Sequence, residues 1–265
     1  MKLAVLFLFV AGSALGWDES TGGRLVNVGD HSLFIRCSGP ASKEETVILL
    51  NGFGAGLDAW NAVQSGIEKF SRVCSYDRAG EGRSDKVSHL QPADAVIADL
   101  ARLLAAEKIT GRYVLVGASL GGIYVRQFAR LYPDSIAGIV LADSSHEEQY
   151  NHYAATAPAI ADRFATQDGR FDRGEFLKAS GQLEPGQHLA WKLDVPLVVL
   201  EHKRLPGPPQ NDMDRLAVDW HGLQVDLAGR SKYGKLIETG SGHMIPVEQP
   251  QIIVDSVRDV IGQAR

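Results

Sequence analysis

The sequence predicts an α/β fold built on one mostly parallel sheet with helices on both faces. Three observations carry that expectation. From residue 46 to the C-terminus, short runs rich in Val, Ile and Leu alternate with longer stretches of helical spacing. Several short runs, among them 46–50, 136–142 and 195–200, are apolar with little alternation, as in strands buried on both faces. The chain has 265 residues, 45% of them hydrophobic, which suffices for one large core and excludes a largely disordered protein.

The elements follow in order. Residues 24–28 and 31–37 flank Gly29-Asp30 and read as an antiparallel hairpin. The run 46–50 ends at Asn51-Gly52, after which Trp60, Val63 and Ile67 recur at helical spacing before a strand at 72–76. Pro92 opens a helix whose Val96, Leu100, Leu103 and Leu104 form one stripe. A strand at 113–116 leads into a helix at 120–131, which stops before Pro133. Strands at 136–142, 195–200 and 235–238 and a closing helix at 252–261 complete the pattern. Between 144 and 193 no strand pattern occurs. Fifty residues is too long for a simple connection, so this interval reads as a small helical lid inserted into a sheet domain spanning 17–265.

The N-terminus departs from the rest. Lys2 precedes an uncharged run, 3–16, with small residues at Ala14 and Gly16. That pattern predicts a signal peptide at 1–16, cleavage near Gly16–Trp17, and a secreted or periplasmic protein. The run is shorter than the ~20 residues a bilayer requires, so no stable membrane anchor is expected. A net charge of -5, with no long Lys/Arg block, argues against nucleic acid as a partner. In an exported chain the two cysteines, Cys37 and Cys74, read either as a disulfide or as two small core residues. No Cys-x-x-Cys or His cluster accompanies them to suggest a metal.

Gly117-Ala118-Ser119-Leu120-Gly121 is a G-x-S-x-G sequence placed between a strand and a helix, the setting of a nucleophile elbow. A sharp turn there pushes the Ser119 hydroxyl out of the sheet, and a Cβ at 117 or 121 would meet neighbouring backbone. Serine needs a base on a separate element. Of eight histidines, His243 is favoured, because Gly240-Ser241-Gly242-His243 presents it from a loop between the last strand and the last helix. His31 and His89 read as structural, His146 and His152 fall in the lid, and His188, His202 and His221 lack a comparable loop. For the orienting acid, Asp143 ends its strand at the same sheet edge as Ser119; Glu201, Asp212 and Asp214 are the alternatives. Asn51-Gly52-Phe53-Gly54 turns after its strand toward the nucleophile, so Phe53 N–H and Leu120 N–H are the expected oxyanion donors. No Lys-Ser/Thr follows this glycine loop, which argues against a nucleotide site.

Four segments, in this order, resemble the α/β-hydrolase fold from about residue 24 onward. They are Leu49-Leu50-Asn51-Gly52-Phe53-Gly54 with Trp60 downstream, Tyr76-Asp77-Arg78-Ala79-Gly80-Glu81-Gly82-Arg83-Ser84-Asp85, the elbow, and Gly242-His243. The resemblance implies an eight-stranded, mostly parallel sheet and a triad of Ser119, His243 and Asp143 cleaving a small-molecule, ester-like substrate through an acyl-enzyme. It implies no metal and no organic cofactor. It also implies that the second strand runs antiparallel beside the strand carrying Cys74, so a Cys37–Cys74 disulfide is expected. The family's common acid position, just past the strand before last, holds His202-Lys203-Arg204 here. That departure favours Asp143, a position some members of the fold use. Asn51 stands where the family often has His, and Ser119 excludes an Asp-nucleophile mechanism. Amide, C–C bond and perhydrolysis chemistry remain open to the same triad, as does a binding or receptor protein that kept the fold. Tyr150, Tyr153, Phe164, Phe171, Phe176 and Trp191 in the lid read as its own core or as an acyl pocket.

Overall fold

The computed structural model describes residues 22–40, 45–167, 169, 171–183, 192–204 and 207–264. Among these, eight strands form one sheet: β1 Gly23–Asn27, β2 Ser32–Ser38, β3 Glu45–Leu50, β4 Arg72–Tyr76, β5 Arg112–Ala118, β6 Ile136–Ala142, β7 Leu197–Glu201 and β8 Gly234–Glu238. Their spatial order is β1-β2-β4-β3-β5-β6-β7-β8. β1 and β2 pair antiparallel, as do β2 and β4, and the remaining pairs are parallel. The helices are α1 Asn61–Ile67, α2 Ala93–Ala106, α3 Leu120–Leu131, α4 Gln149–Thr156, α5 Pro158–Thr166, α6 Arg173–Ser180, α7 Asp212–Gly229, α8 Ile245–Glu248 and α9 Pro250–Ala264.

The pleat explains why the central strands are apolar throughout. Successive side chains point to opposite faces, and both faces are covered. Val47 and Leu49 of β3 join Val114 and Val116 of β5 in a core shared with α1 and α9, through Val63, Ile67, Ile253 and Val257. Ile48, Leu50 and Leu115 point the other way, into a core with α2 and α3 through Leu100, Leu103, Ile123 and Phe128. Burying each such side chain stabilises the fold by about 1.5–3 kcal/mol.

Most elements lie within a few residues of the sequence-based expectation, and two differences have a clear physical reason. β7 begins at Leu197 rather than at 195, because Pro196 has no N–H to give to a ladder. The larger difference is α7, eighteen residues long, in a stretch where a Pro-rich loop obscures the start of the pattern. Its signal is the buried stripe Leu216, Trp220, Leu223 and Leu227, and the Asn211 side chain caps its first turn by accepting from Asp214 N. Between β6 and β7 the chain forms α4, α5 and α6. The expected leader at 1–16, His188 and Trp191 lie outside the described residues. Among the described residues no helix is long and apolar enough to cross a membrane.

Cys37 and Cys74 are direct cross-strand partners in the antiparallel β2–β4 pair, with Cα atoms 4.1 Å apart, and they form a disulfide. The bridge joins positions 37 residues apart. Closing a loop of that size in the unfolded chain is worth about 3–4 kcal/mol. Replacing both cysteines by Ser is therefore expected to lower the unfolding free energy by that amount. A urea titration in which the double variant keeps the wild-type midpoint would refute this.

Candidate active site

The elbow is built by close packing of backbone on backbone. Ser119 links β5 to α3 with φ 50° and ψ −123°, a conformation that L-residues rarely adopt. It persists because neighbours hold it from both sides. Ser119 N donates to Ala142 O at 3.1 Å, and Ser119 O accepts from Gly122 N and Ser145 N at 3.0 Å each. A Cβ at Gly121 would lie 2.2 Å from Leu50 O, and one at Gly117 would lie 2.7 Å from Gly121. Both glycines are therefore required for β3, β5 and α3 to meet at this corner.

Strand register brings Asp143 to the sheet edge of Ser119. Ala118 pairs with Ala142, and Ala142 pairs with Leu200, so Ser119 and Asp143 leave adjacent strands at the same level. Asp143 N donates to Leu200 O at 2.7 Å, and its φ of 46° is also in the left-handed region. The carboxylate is fully buried. His243 reaches it from the loop after β8, with Nδ1 2.6 Å from Asp143 Oδ2. An ionised carboxylate only accepts, so His243 donates to it from Nδ1 and Nε2 is turned away from this contact. That loop is fixed by Gly240 N donating to Gln249 and Gly242 N donating to Glu248. Burial opposes ionisation of Asp143, but hydrogen bonds from His202 and His243 and the charge of the two rings outweigh it. Together they hold the carboxyl at about 2.

The loop of residues 51–54, where the sequence places an oxyanion donor, is set from behind by the segment after β4. Arg78 is buried and donates to Asn51 O and Gly52 O, both at 2.6 Å. Gly52 O and Phe53 N–H share one trans peptide, so fixing the carbonyl on Arg78 turns the Phe53 N–H away from it. Glu81 pairs with Arg78 at 2.8 Å and accepts from Gly54 N at 3.0 Å. A Cβ at Gly52 would stand 3.2 Å from the Ser119 Cβ, which places this loop against Ser119. Leu120 N–H belongs to the first turn of α3, where amides lack a helical acceptor. The Phe53 ring stands edge-on to Phe176 and Phe171, with centroids 5.5 and 6.2 Å away. Tyr150, Phe164, Phe171 and Phe176 thus form a core of the inserted segment that also anchors the Phe53 loop.

The chain matches the alpha/beta hydrolase fold family over residues 45–214. It belongs to the α/β-hydrolase fold family. Among curated relatives, the probable transporter efuK of Hormonema carpetanum is 31% identical over 141 residues, 51% of this chain. The match covers only 20% of that relative's length. Among solved structures, an enol-lactonase from Burkholderia xenovorans LB400 has a TM-score of 0.64 at 16% identity, covering 90% of this chain and all of the other. A thermophilic esterase from Thermogutta terrifontis has a TM-score of 0.62 at 20% identity, covering 88% and 94%. At these identities the likeness to the two structures is one of fold.

Within this hydrolase fold the alternative acids are occupied elsewhere. Asp212 pairs with Arg215. Asp214 accepts from Gln210 N and Asn211 Nδ2 in the first turn of α7. Glu201 is buried and bonds His221 Nδ1 at 2.8 Å. His31 joins Asp30 to Asp99, His89 contacts Ser88, and His152 is exposed. His146 sits in a buried network in which Arg126 of α3 binds Glu147, Ser144 Oγ and Ser145 O, each at 2.8 Å. Arg230 binds Glu147 from the other side. This network fixes residues 144–147, whose Ser145 N supports the elbow. Burial opposes ionisation of Glu147, yet Arg126 and Arg230 hold its carboxyl at about 2. Sequence reasoning missed two residues on Asp143: His202, discussed below, and Trp220, whose Nε1 donates to Oδ1 at 2.9 Å. The only sequence signal for Trp220 was its place on the stripe of α7. Among the described residues no three His, Cys, Asp or Glu side chains are placed to hold a metal ion.

Proposed function

We propose that this chain is an exported serine hydrolase that cleaves short-chain carboxylic esters through Ser119, His243 and Asp143. The observation that carries the reading is the 2.6 Å His243–Asp143 hydrogen bond at the sheet edge where Ser119 is held in a strained turn. In this reading Ser119 Oγ attacks the acyl carbon while His243 Nε2 takes its proton. Phe53 N–H and Leu120 N–H receive the developing oxyanion, and Asp143 stabilises the imidazolium. His243 then protonates the departing alcohol, and water repeats the sequence to release the acid. Fold likeness to an esterase and an enol-lactonase supports acyl-oxygen chemistry. A cavity of about 50 Å³ beside the Phe53 loop, bordered by apolar Phe53, Val96, Leu120 and Phe176 and by polar Arg78, Glu81 and Gln91, supports a small acyl group. The uncharged run at 3–16 and the Cys37–Cys74 bridge support export.

The test is fluorophosphonate labelling of wild-type protein together with turnover of nitrophenyl esters from acetyl to dodecanoyl. The expected result is stoichiometric labelling of Ser119, a burst followed by steady turnover, and highest kcat/KM for the shortest chains. Folded wild-type protein that refuses the probe overturns the nucleophile assignment. Labelling without steady ester turnover overturns the ester reading in favour of amide or C–C bond chemistry, or of a binding role.

A further inference from the structure

His202 follows β7, in a setting that no local motif marks as functional. The register of β6 and β7 puts it against Asp143. Its Nδ1 lies 3.0 Å from Asp143 Oδ1 and 2.9 Å from Oδ2, and its backbone N–H donates to Oδ1 at 3.2 Å. Oδ2 is also the atom that receives His243 Nδ1, while Oδ1 receives Trp220 Nε1. One carboxylate therefore serves two imidazoles and an indole, with no exposure through which water could replace any of them. Every contact needs a donor, so both rings carry a proton on Nδ1, and the two compete for one oxygen.

Other charged groups face His202 but are engaged elsewhere. Glu201 at the end of β7 bonds His221 of α7, and Glu238 at the end of β8 bonds Arg204. Tyr153 of α4 lies near Asp143, and burial pushes its hydroxyl up, so it stays neutral. The hydrogen bond to Asp143, opposed by burial, raises His202 above its ordinary value. Its side chain is 29% exposed, so protonation at Nε2 is open to solvent.

We propose that His202 is a positioning residue that shares Asp143 with His243, fixing the carboxylate's orientation and, once protonated, weakening the hold of His243 on its own proton. This inference rests on the triad reading above. A cation on the shared carboxylate offsets part of the charge that stabilises the His243 imidazolium. The acid limb of the pH–rate profile therefore lies at lower pH with His202 than without it.

The test compares wild type with His202→Asn, which keeps an N–H near the Nδ1 position but cannot titrate, and with His202→Phe, which offers no donor. In kcat/KM against pH with nitrophenyl acetate, both variants are expected to move the acid limb upward by about one unit. At pH 8, His202→Phe is expected to lose about 10-fold in kcat and His202→Asn less, because only the former leaves Asp143 short of a donor. In imidazole NMR, the His243 ring signals of wild type are expected to show a second inflection as His202 titrates, absent in both variants. A uniform loss of activity with an unmoved acid limb overturns the proposal, as does a single His243 transition in wild type. Failure of the triad reading shows separately, as wild type that neither labels nor turns over, and the NMR result then decides the role of His202 without turnover.

Discussion

Ser119→Ala is expected to lower kcat toward a short-chain nitrophenyl ester by about 10⁶-fold and to abolish fluorophosphonate labelling, while the protein stays folded. Removing the nucleophile of a Ser-His-Asp site costs about as much as removing all three members, because base and acid have nothing left to activate. Residual catalysis from the oxyanion donors and binding alone is then about 10³–10⁴ over water. The backbone at Ser119 makes a second, independent readout available. Its φ of 50° and ψ of −123° store about 1–3 kcal/mol of strain for any residue with a Cβ. Ala retains that Cβ and hence the strain. Gly does not, so Ser119→Gly is expected to melt above Ser119→Ala by a few degrees while being equally inactive. A Ser119→Ala protein that keeps more than a hundredth of wild-type turnover would refute the assignment.

The sheet and the elbow were legible in the sequence because each is written in local pattern. β4, β6 and α3 begin and end where the residues said they would, since each follows a Ser and is stopped by Asp77, Asp143 or Pro133. The placement of Ser119 and Asp143 at one sheet edge was legible for the same reason, because both residues follow strands that run parallel in one α/β sheet. His202 was not, since its role depends on which atoms of Asp143 the β6–β7 register exposes to it, and no spacing in the chain encodes that. Trp220 is a similar case. Its place on the stripe of α7 says that it is buried, and only the packed structure shows that its indole N–H meets the carboxylate. The tight turns of residues 76–85 read as structural. They are, but Arg78 makes that structure the support of the loop at residues 51–54, through bonds to two carbonyls about 26 residues away in sequence.

Asp143→Asn separates the acid assignment from its nearest rivals. At pH 8 it is expected to lower kcat by about 10⁴-fold, because the Asn amide cannot enforce the Nδ1–H tautomer of His243. The site makes this substitution harsher than its size suggests. Asp143 accepts from His243, from His202 twice, and from Trp220, all without water. An amide has one acceptor oxygen and brings two donors of its own, so at least one N–H then faces another N–H. Hydrogen bonds to a buried carboxylate are each worth about 1.5–3 kcal/mol, and the variant is expected to lose about 3 kcal/mol in unfolding free energy. The pH dependence has a definite sign. Asp143 is held at about 2 in the folded protein, below the ~3.9 of an unfolded Asp. Its stabilising contribution is therefore complete above about pH 4 and is lost as pH falls toward 2. Melting curves of wild type and Asp143→Asn should accordingly converge across that interval, with the slope contributed by Glu147 common to both. Asp214→Asn provides the comparison. Its carboxylate serves only the first turn of α7, so a loss of about 0.5–1 kcal/mol in stability with near wild-type kcat is expected. If Asp214→Asn were the variant that lost turnover and Asp143→Asn kept it, the acid would have to be sought on α7, and the shared-carboxylate arrangement would carry no catalytic meaning.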